Sequence, residues 1–169
     1  KSILPVYNTH RMVQEYVNDM YIPSMLRADK IIASNYDYVR NLSDWKSYIE
    51  KTWSQVQILP EGEGNRPQEL NTTSGSPVTI TTSVNLGEIN PSDVKVELYY
   101  GNLNPEGKLE NPEVMEMKLS EKIDTCVYKY SAEIKLLEGG EYGYTFRVIP
   151  YHQDLINKFD TRLIKWAVQ

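Results

Sequence analysis

The sequence is short of the residues from which active sites and cross-linked folds are usually built. Its 169 residues include one cysteine, Cys126, and two histidines, His10 and His152. One thiol can neither form a disulfide within the chain nor assemble a structural zinc site, so we expect a reducing compartment, the cytoplasm. Cys126 falls on the apolar phase of a predicted strand, which predicts inert core packing rather than nucleophilic chemistry.

Long apolar runs and an excess of basic residues are also missing. No stretch reaches the roughly 20 apolar residues that a membrane-spanning helix needs, and no N-terminal segment has the pattern of a signal peptide. The chain has 18 basic and 23 acidic residues, a formal net charge of -5. Because nucleic-acid binding needs clustered Lys and Arg, these features argue against a membrane and against a nucleic-acid partner.

Phosphate-binding loops are missing as well. The segment Gly62-Glu63-Gly64 lies in a predicted acidic loop and is not followed by a helix, so it does not predict a phosphate site. His10, in the first turn of a predicted helix, and His152, in a predicted loop, are interpreted as structural hydrogen-bonding residues. With no nucleophile, metal-ligand set or cofactor loop predicted, we do not expect this chain alone to be an enzyme.

Apolar periodicity predicts helices in the first third of the chain. The first helix follows Thr9, a predicted N-cap, and Pro23 then kinks it or starts a second helix that ends near Val39. The third helix follows Ser43, another predicted N-cap. The apolar face of the first helix comprises Met12, Val13, Tyr16, Val17, Met20 and Tyr21. The apolar face of the third comprises Trp45, Tyr48, Ile49, Thr52, Trp53 and Val56.

From Val56 onward the apolar period falls to two, which predicts β-strands. Turn signals at Asn90-Pro91, Asn104-Pro105 and Gly139-Gly140 separate the alternating segments. The predicted strands cover residues 78–86, 94–100, 115–119, 126–136, 142–148 and 162–168. Polar stretches rich in Gly and Pro, at 60–67 and 71–77, predict loops or a short linker, around at most one strand, between the helices and these strands.

These segments predict an α+β chain with two domains. Two to three helices form a helical segment at residues 1–56, and an immunoglobulin-like antiparallel β-sandwich follows at residues 57–169. The charge follows nearly the same division, because residues 1–55 carry seven basic and six acidic side chains whereas residues 56–169 carry eleven and seventeen. The strand order cannot be read from the sequence.

Aromatic residues are plentiful, with 13 tyrosines and three tryptophans, and aromatic rings can stack on sugars. Most tyrosines of the predicted strands lie on the inward phase and are predicted to be core residues. Tyr99, Tyr151 and Trp166 do not follow that phase. They are therefore the candidate glycan contacts, with ordinary packing as the alternative.

Several segments taken together resemble the C-terminal end of bacterial and archaeal α-glucan phosphorylases, the shorter branch of the glycogen phosphorylase family. The order and spacing of the segments, rather than any single motif, carry the similarity, which covers nearly the whole chain. In the first half they are residues 7–16 (YNTHRMVQEY), 21–23 (YIP), 44–46 (DWK) and Trp53. In the second half they are residues 86–87 (LG), 91–101 (PSDVKVELYYG), 140–150 (GEYGYTFRVIP) and 163–167 (LIKWA).

The resemblance implies a parent glycosyltransferase that uses pyridoxal phosphate and inorganic phosphate to release glucose 1-phosphate from the non-reducing end of α-1,4-glucans. In that family a lysine in a Gly-Thr-Gly-Asn-Met-Lys type motif holds the coenzyme. The motif is absent here, so no catalytic or cofactor-binding residue can be transferred to this chain. The chain would then be a non-catalytic C-terminal fragment that carries no coenzyme itself.

The resemblance also implies partners for such a fragment. The first helix would be the tail of the catalytic domain, and its apolar face would be left exposed without the rest of that domain. We expect contact with the rest of the parent, with α-glucan, and with a second copy through this face. The sandwich would serve stability, oligomer contacts or glucan positioning. The alternative function is an independent β-sandwich module that binds carbohydrate or protein.

Overall fold

The computed structural model describes residues 8–59, 68–70, 77–135 and 141–167, with residues 68–70 described by their backbone alone. The chain divides into two compact units, residues 1–46 and residues 47–169, and the division falls inside the third helix. The predicted domains, 1–56 and 57–169, remain a proposal about how the chain is organised. Among the described residues, no helix is both long and apolar enough to cross a bilayer.

The helices begin earlier than the sequence predicts. Asn8 rather than Thr9 caps helix α1 (Thr9–Tyr16), and its side chain accepts a hydrogen bond of 2.7 Å from the Arg11 amide. The other α-helices are α2 (Ile22–Ala33) and α3 (Asp37–Thr52). Helix α3 starts six residues before the predicted cap Ser43, so the second predicted helix ends well short of Val39.

The interruption predicted at Pro23 is a π-helical turn, Val17–Tyr21, that joins α1 to α2 without a break. Proline has no amide hydrogen and cannot bond the carbonyl four residues earlier, which is Asp19. The amide of Ile22 instead donates a hydrogen bond to the carbonyl of Val17, five residues back. This wider turn lets the helix continue past the proline.

The end of α3 packs with the strands, as the apolar spacing predicts, except that Tyr48 of the predicted face is exposed. Ile49, Trp53 and Val56 are buried, with Trp53 in a 3₁₀ turn (Trp53–Gln55). The Tyr48 hydroxyl donates a 2.7 Å hydrogen bond to the Glu88 carbonyl. The adjacent Gly87 has φ +59°, and a side chain there would meet the Cβ of Gln55 at 2.6 Å. Only glycine fits this close, left-handed turn.

Nine strands in the described residues form two antiparallel sheets, which confirms the α+β class. The strands are β1 (Gln57–Leu59), β2 (Gln68–Leu70), β3 (Pro77–Asn85), β4 (Val94–Leu103), β5 (Leu109–Glu116), β6 (Lys118–Lys122), β7 (Val127–Lys135), β8 (Tyr142–Pro150) and β9 (Lys165–Trp166). The first sheet has the order β1-β3-β7-β6. The second has the order β2-β8-β4-β5. The short strand β9 pairs with the same edge of β8 as β2 does, but at the other end of β8.

Apolar side chains on alternate positions form the core of residues 47–169, as the period of two predicts. Ile80, Val84, Tyr130 and Ile134 supply the first sheet's share. Val96, Leu98, Phe146 and Val148 supply the second sheet's share. The predicted turns at Asn90 and Asn104 are also present. Each asparagine side chain accepts a hydrogen bond from the backbone amide two residues ahead.

Three strand predictions need correction. The segment 115–119 is not one strand: the chain leaves the second sheet at Glu116 and enters the first at Lys118, so Met117 is buried while Leu119 is exposed. Cys126 precedes β7 and is only half-buried, because the inward phase does not extend past the strand's start. The last strand, predicted at 162–168, is limited to Lys165–Trp166. The loops at 60–67 and 71–76, Gly139-Gly140 and Val168 lie outside the described residues.

Candidate functional site

Two of the three candidate glycan contacts, Tyr99 and Trp166, lie side by side. Tyr99 lies on β4 and Trp166 on β9, and their ring centroids are 4.9 Å apart in an edge-to-face arrangement. Between them in the sheet is β8, whose Arg147 is the register partner of Trp166. The Arg147 guanidinium lies 4.6 Å from the Tyr99 ring, 5.1 Å from Phe159 and 5.3 Å from Trp166. We call these four residues the arginine cluster.

A carboxylate completes the surroundings of Arg147. Glu97 on β4 is its cross-strand partner, and the Arg147 Nε–H donates a 2.8 Å hydrogen bond to Glu97. Both side chains are more than nine-tenths buried, and the Lys158 ammonium adds a 3.0 Å hydrogen bond to Glu97. Burial alone would raise the pKa of Glu97, but the hydrogen bonds and charges of Arg147 and Lys158 outweigh it and lower that pKa.

The arginine cluster has the chemistry of a structural contact. The segment after β8, residues 151–164, brings Lys158 and Phe159 over the face of β8 that carries Arg147. Thr145, Arg147 and Ile149 on this face are buried, although strict alternation predicts that they face water. Buried charges are tolerated only when they are paired, and here Arg147 is paired with Glu97 and flanked by three rings.

Sequence reasoning missed Arg147 and Glu97. Each falls on the polar phase of its strand, where a charged residue is ordinary and predicts nothing. Their pairing depends on the β4–β8 register, which the sequence does not reveal. The aromatic residues that follow β8, Phe159 and Trp166, are the available signal, since they indicate that the last segment covers something apolar or cationic.

The third candidate, Tyr151, lies in a different place. It follows β8, and its amide donates a 2.8 Å hydrogen bond to the Asp93 carbonyl, which fixes it beside the start of β4. There it lines a cleft of about 480 Å³ between Pro91-Ser92, the start of β4, the β5–β6 crossing and Tyr130 of β7. We call this the Tyr151 cleft. Its volume falls within the roughly 300–1,000 Å³ typical of ligand pockets.

The Tyr151 cleft combines an aromatic ring with paired charges. The Lys95 ammonium lies 4.3 Å from the Tyr151 ring centroid and 2.7 Å from a Glu116 carboxylate oxygen. The hydrogen bond to Glu116, working against burial, raises the pKa of Lys95, so the ammonium stays charged. Burial raises the pKa of Tyr130 to about 12. Its hydroxyl is buried and has no hydrogen-bond partner among the described residues.

The residues that could supply catalysis do not come together. His10 is exposed on α1, in the helical unit. His152 Nδ1 accepts a 3.2 Å hydrogen bond from the Asp154 amide, a local loop contact. Within the described ranges, no three His, Cys, Asp or Glu side chains are grouped as a metal site would require.

The lysine motif that the family resemblance implies for pyridoxal phosphate is absent from the sequence. In the Tyr151 cleft, Lys95 is bonded to Glu116 and its pKa is raised, whereas a lysine that forms a Schiff base must lose its proton. Arg147 is bonded to Glu97.

These features define an α+β protein in which two antiparallel sheets follow a helical unit. Comparison with known proteins identifies its family. Residues 53–168 match the family model for the glycogen phosphorylase C-terminal domain. The chain belongs to this family.

Curated relatives place the match within larger proteins. Maltodextrin phosphorylase of Thermococcus litoralis is 35% identical over 98% of this chain, and glycogen phosphorylase of Mycobacterium tuberculosis is 28% identical over 99%. The glycogen phosphorylase of Mycobacterium bovis is also 28% identical. In each case the chain spans only 19% of the relative's length.

Proposed function

We propose that this chain is a non-catalytic C-terminal part of an α-glucan phosphorylase. The whole protein would be a cytoplasmic, pyridoxal-phosphate-dependent glycosyltransferase that releases glucose 1-phosphate from α-1,4-glucans with inorganic phosphate. The observation that carries the proposal is the match of nearly the whole chain to about a fifth of each phosphorylase. The motif that binds the coenzyme in the family is absent from the sequence, so catalysis is assigned to the remaining four-fifths.

The helical unit supports a partner role in this proposal. No residue of α1, the π turn or α2 is buried, although these segments carry a continuous apolar stripe. Its exposed members are Met12, Val13, Tyr16, Val17, Met20, Tyr21, Ile22, Met25 and Leu26. We call this set the apolar stripe. A monomeric soluble protein seldom exposes so many contiguous large apolar side chains.

The occupant of the apolar stripe in this proposal is the rest of the phosphorylase. Relatives about five times as long as the chain provide ample further structure to cover it. When the chain is isolated, a second copy is the available apolar surface, so self-association through the stripe is the expected consequence.

The two sheets are proposed to form an immunoglobulin-like sandwich with a supporting role. Support comes from the buried apolar faces of both sheets and from the non-sequential strand orders, which bring β3 beside β7 and β4 beside β8. The sandwich would stabilise the parent, contribute oligomer contacts or position glucan.

The test uses the native protein that carries this sequence. Its intact mass is measured together with its absorbance and the pyridoxal phosphate released by acid. The proposal predicts a mass several times the 19.6 kDa of this chain, with about one coenzyme per polypeptide. A native mass near 20 kDa without coenzyme contradicts it.

The second candidate function is an independent binding module for carbohydrate or protein. The Tyr151 cleft favours it, because the residues that line it all belong to the unit 47–169. A native mass near 20 kDa combined with glycan retardation in an affinity gel would select this function.

A further inference from the structure

We propose that the Tyr151 cleft is a saccharide-binding site and that it, rather than Tyr99 and Trp166, performs glucan contact in this chain. The choice of a linear α-1,4-glucan as ligand rests on the proposed function. The cleft itself is argued from its own side chains.

The Tyr151 cleft offers the kind of surface that a sugar ring contacts. A sugar ring has apolar C–H faces and a rim of hydroxyl groups, so its sites combine an aromatic ring with polar side chains beside it. Tyr151 is 38% exposed and supplies the ring. The Lys95 ammonium lies over one face of the Tyr151 ring and is bonded to Glu116.

The cleft also places hydrogen-bond donors beside acceptors. Each sugar hydroxyl can donate one hydrogen bond and accept another. Lys95 offers donors and Glu116 offers acceptors at adjacent positions, so neighbouring hydroxyls of one sugar can be bound together. The opposite charges of Lys95 and Glu116 offset each other, and Lys118, which also lines the cleft, adds further hydrogen-bond donors.

The arginine cluster is the weaker candidate for the same ligand. Arg147 already lies against the rings of Tyr99 and Trp166, and those two rings contact each other. A sugar that stacked on either ring would compete with these contacts. Tyr151 has one such contact, with the Lys95 ammonium 4.3 Å from its ring centroid.

The experiment measures binding of maltoheptaose to the full chain by isothermal titration calorimetry, with tyrosine ring shifts by NMR as a second readout. We expect weak, saturable binding by the unaltered chain. Tyr151→Ala should weaken it about tenfold or more, the equivalent of about 1.4 kcal/mol. Tyr151→Phe should stay within about threefold, because the ring is retained. Trp166→Ala, the matched control from the arginine cluster, should stay within about twofold.

A second cleft variant guards against misfolding as the cause of a loss. Glu116→Gln removes a charge at a half-exposed position and should weaken binding about fivefold or more while the thermal unfolding temperature stays the same. Absence of binding by the unaltered chain overturns the inference, as does a larger loss with Trp166→Ala than with Tyr151→Ala. Because the intact-mass experiment is independent of these titrations, failure of this inference leaves the proposed function standing.

Discussion

The helical unit (residues 1–46) and the sheet unit (residues 47–169) both carry regular apolar patterns, but they differ in whether those apolar side chains are buried. Between residues 47 and 167 the described apolar positions build a core, with Val56, Leu98 and Val148 fully buried. Between residues 9 and 33 the same regularity leaves Met20 and Tyr21 more than half exposed. Periodicity thus identifies the face that must be covered, but it does not identify what covers it.

The difference follows from what each unit can bury by itself. A sheet with one apolar face can pack on a second sheet of the same chain, and the chain supplies both. The α1–α2 rod is one continuous helix through its π turn, so its stripe has no second layer within the rod. In our account the missing layer belongs to the rest of the phosphorylase.

The largest expected difference between the units comes from removing one large apolar side chain in each. Trp53→Ala should lower the free energy of unfolding by about 3–5 kcal/mol, because Trp53 is 5% exposed. Tyr21→Ala, at 69% exposure, should lower it by less than about 1 kcal/mol. Urea denaturation followed by circular dichroism measures both. Equal effects would mean that the two stripes are buried alike.

Breaking the buried ion pair should have the next largest effect. Glu97→Ala leaves Arg147 charged and unpaired inside the sheet unit, at an expected cost of about 3 kcal/mol in unfolding free energy. Glu106→Ala is the control, since it removes an exposed pair with Lys108 and should change stability by about 0.5 kcal/mol or less. A change below about 1 kcal/mol for Glu97→Ala would show that the arginine cluster is dispensable.

The same pair predicts an acid dependence. The folded state lowers the pKa of Glu97 below its ordinary value of 4.5, so its contribution is present above that pH and is lost as the pH falls through the lowered pKa. Glu97→Gln should remove this part of the acid destabilisation, as seen in unfolding midpoints between about pH 5 and pH 2. An unchanged pH profile in the variant would contradict the assignment.

The sheet unit should also show an alkaline dependence. Burial, reinforced by the hydrogen bond to Glu113, raises the pKa of Tyr100 to about 12. The neutral tyrosine is therefore favoured by folding, and the associated stability is complete below pH 10 and is lost as the pH rises towards 12. Tyr100→Phe should reduce this loss in thermal unfolding between those values, while the part due to Tyr130, whose pKa is also raised to about 12, remains. Spectrophotometric titration of the tyrosines supplies an independent check on the late ionisation.

The smallest expected change in stability belongs to the apolar stripe. Met20→Ser with Leu26→Ser should alter the unfolding free energy by less than about 1 kcal/mol, since both side chains are mostly exposed. Sedimentation velocity should nevertheless show a shift from oligomer towards monomer. Val114→Ser, an exposed apolar change in β5, serves as the control and should leave the distribution unaltered.

The sequence allows much of the secondary structure to be predicted, because local periodicity determines it. The inward phases of β3, β4 and β8 follow directly from alternation at Ile80, Leu98 and Phe146. The sheet change at Met117 was missed because an alternating run looks the same whether it stays in one sheet or crosses to another. The predicted start of the third helix lies too far along the chain, because Asp37 is only a weak local signal for the start of a helix.

The candidate sites were less predictable, since they depend on register and on the path of the final loop. Tyr99 and Trp166 are 67 positions apart and meet only because β8 lies between β4 and β9. The pairing of Glu97 with Arg147 cannot be predicted for the same reason, since it depends on the register of β4 and β8. Tyr151 could be recognised as an aromatic outside the core phase, but its pairing with Lys95 and Glu116 requires the turn at Pro91–Asp93 and the β5–β6 crossing.

The most direct test of the account is amide hydrogen exchange across residues 9–33, compared between the isolated chain and the native protein that carries it. Coverage of the apolar stripe by the rest of a phosphorylase predicts exchange at least about tenfold slower in the native protein, while the core strands β4 and β8 change little. Equal exchange of residues 9–33 in both samples would contradict the account, because the stripe would then be exposed in the native protein too.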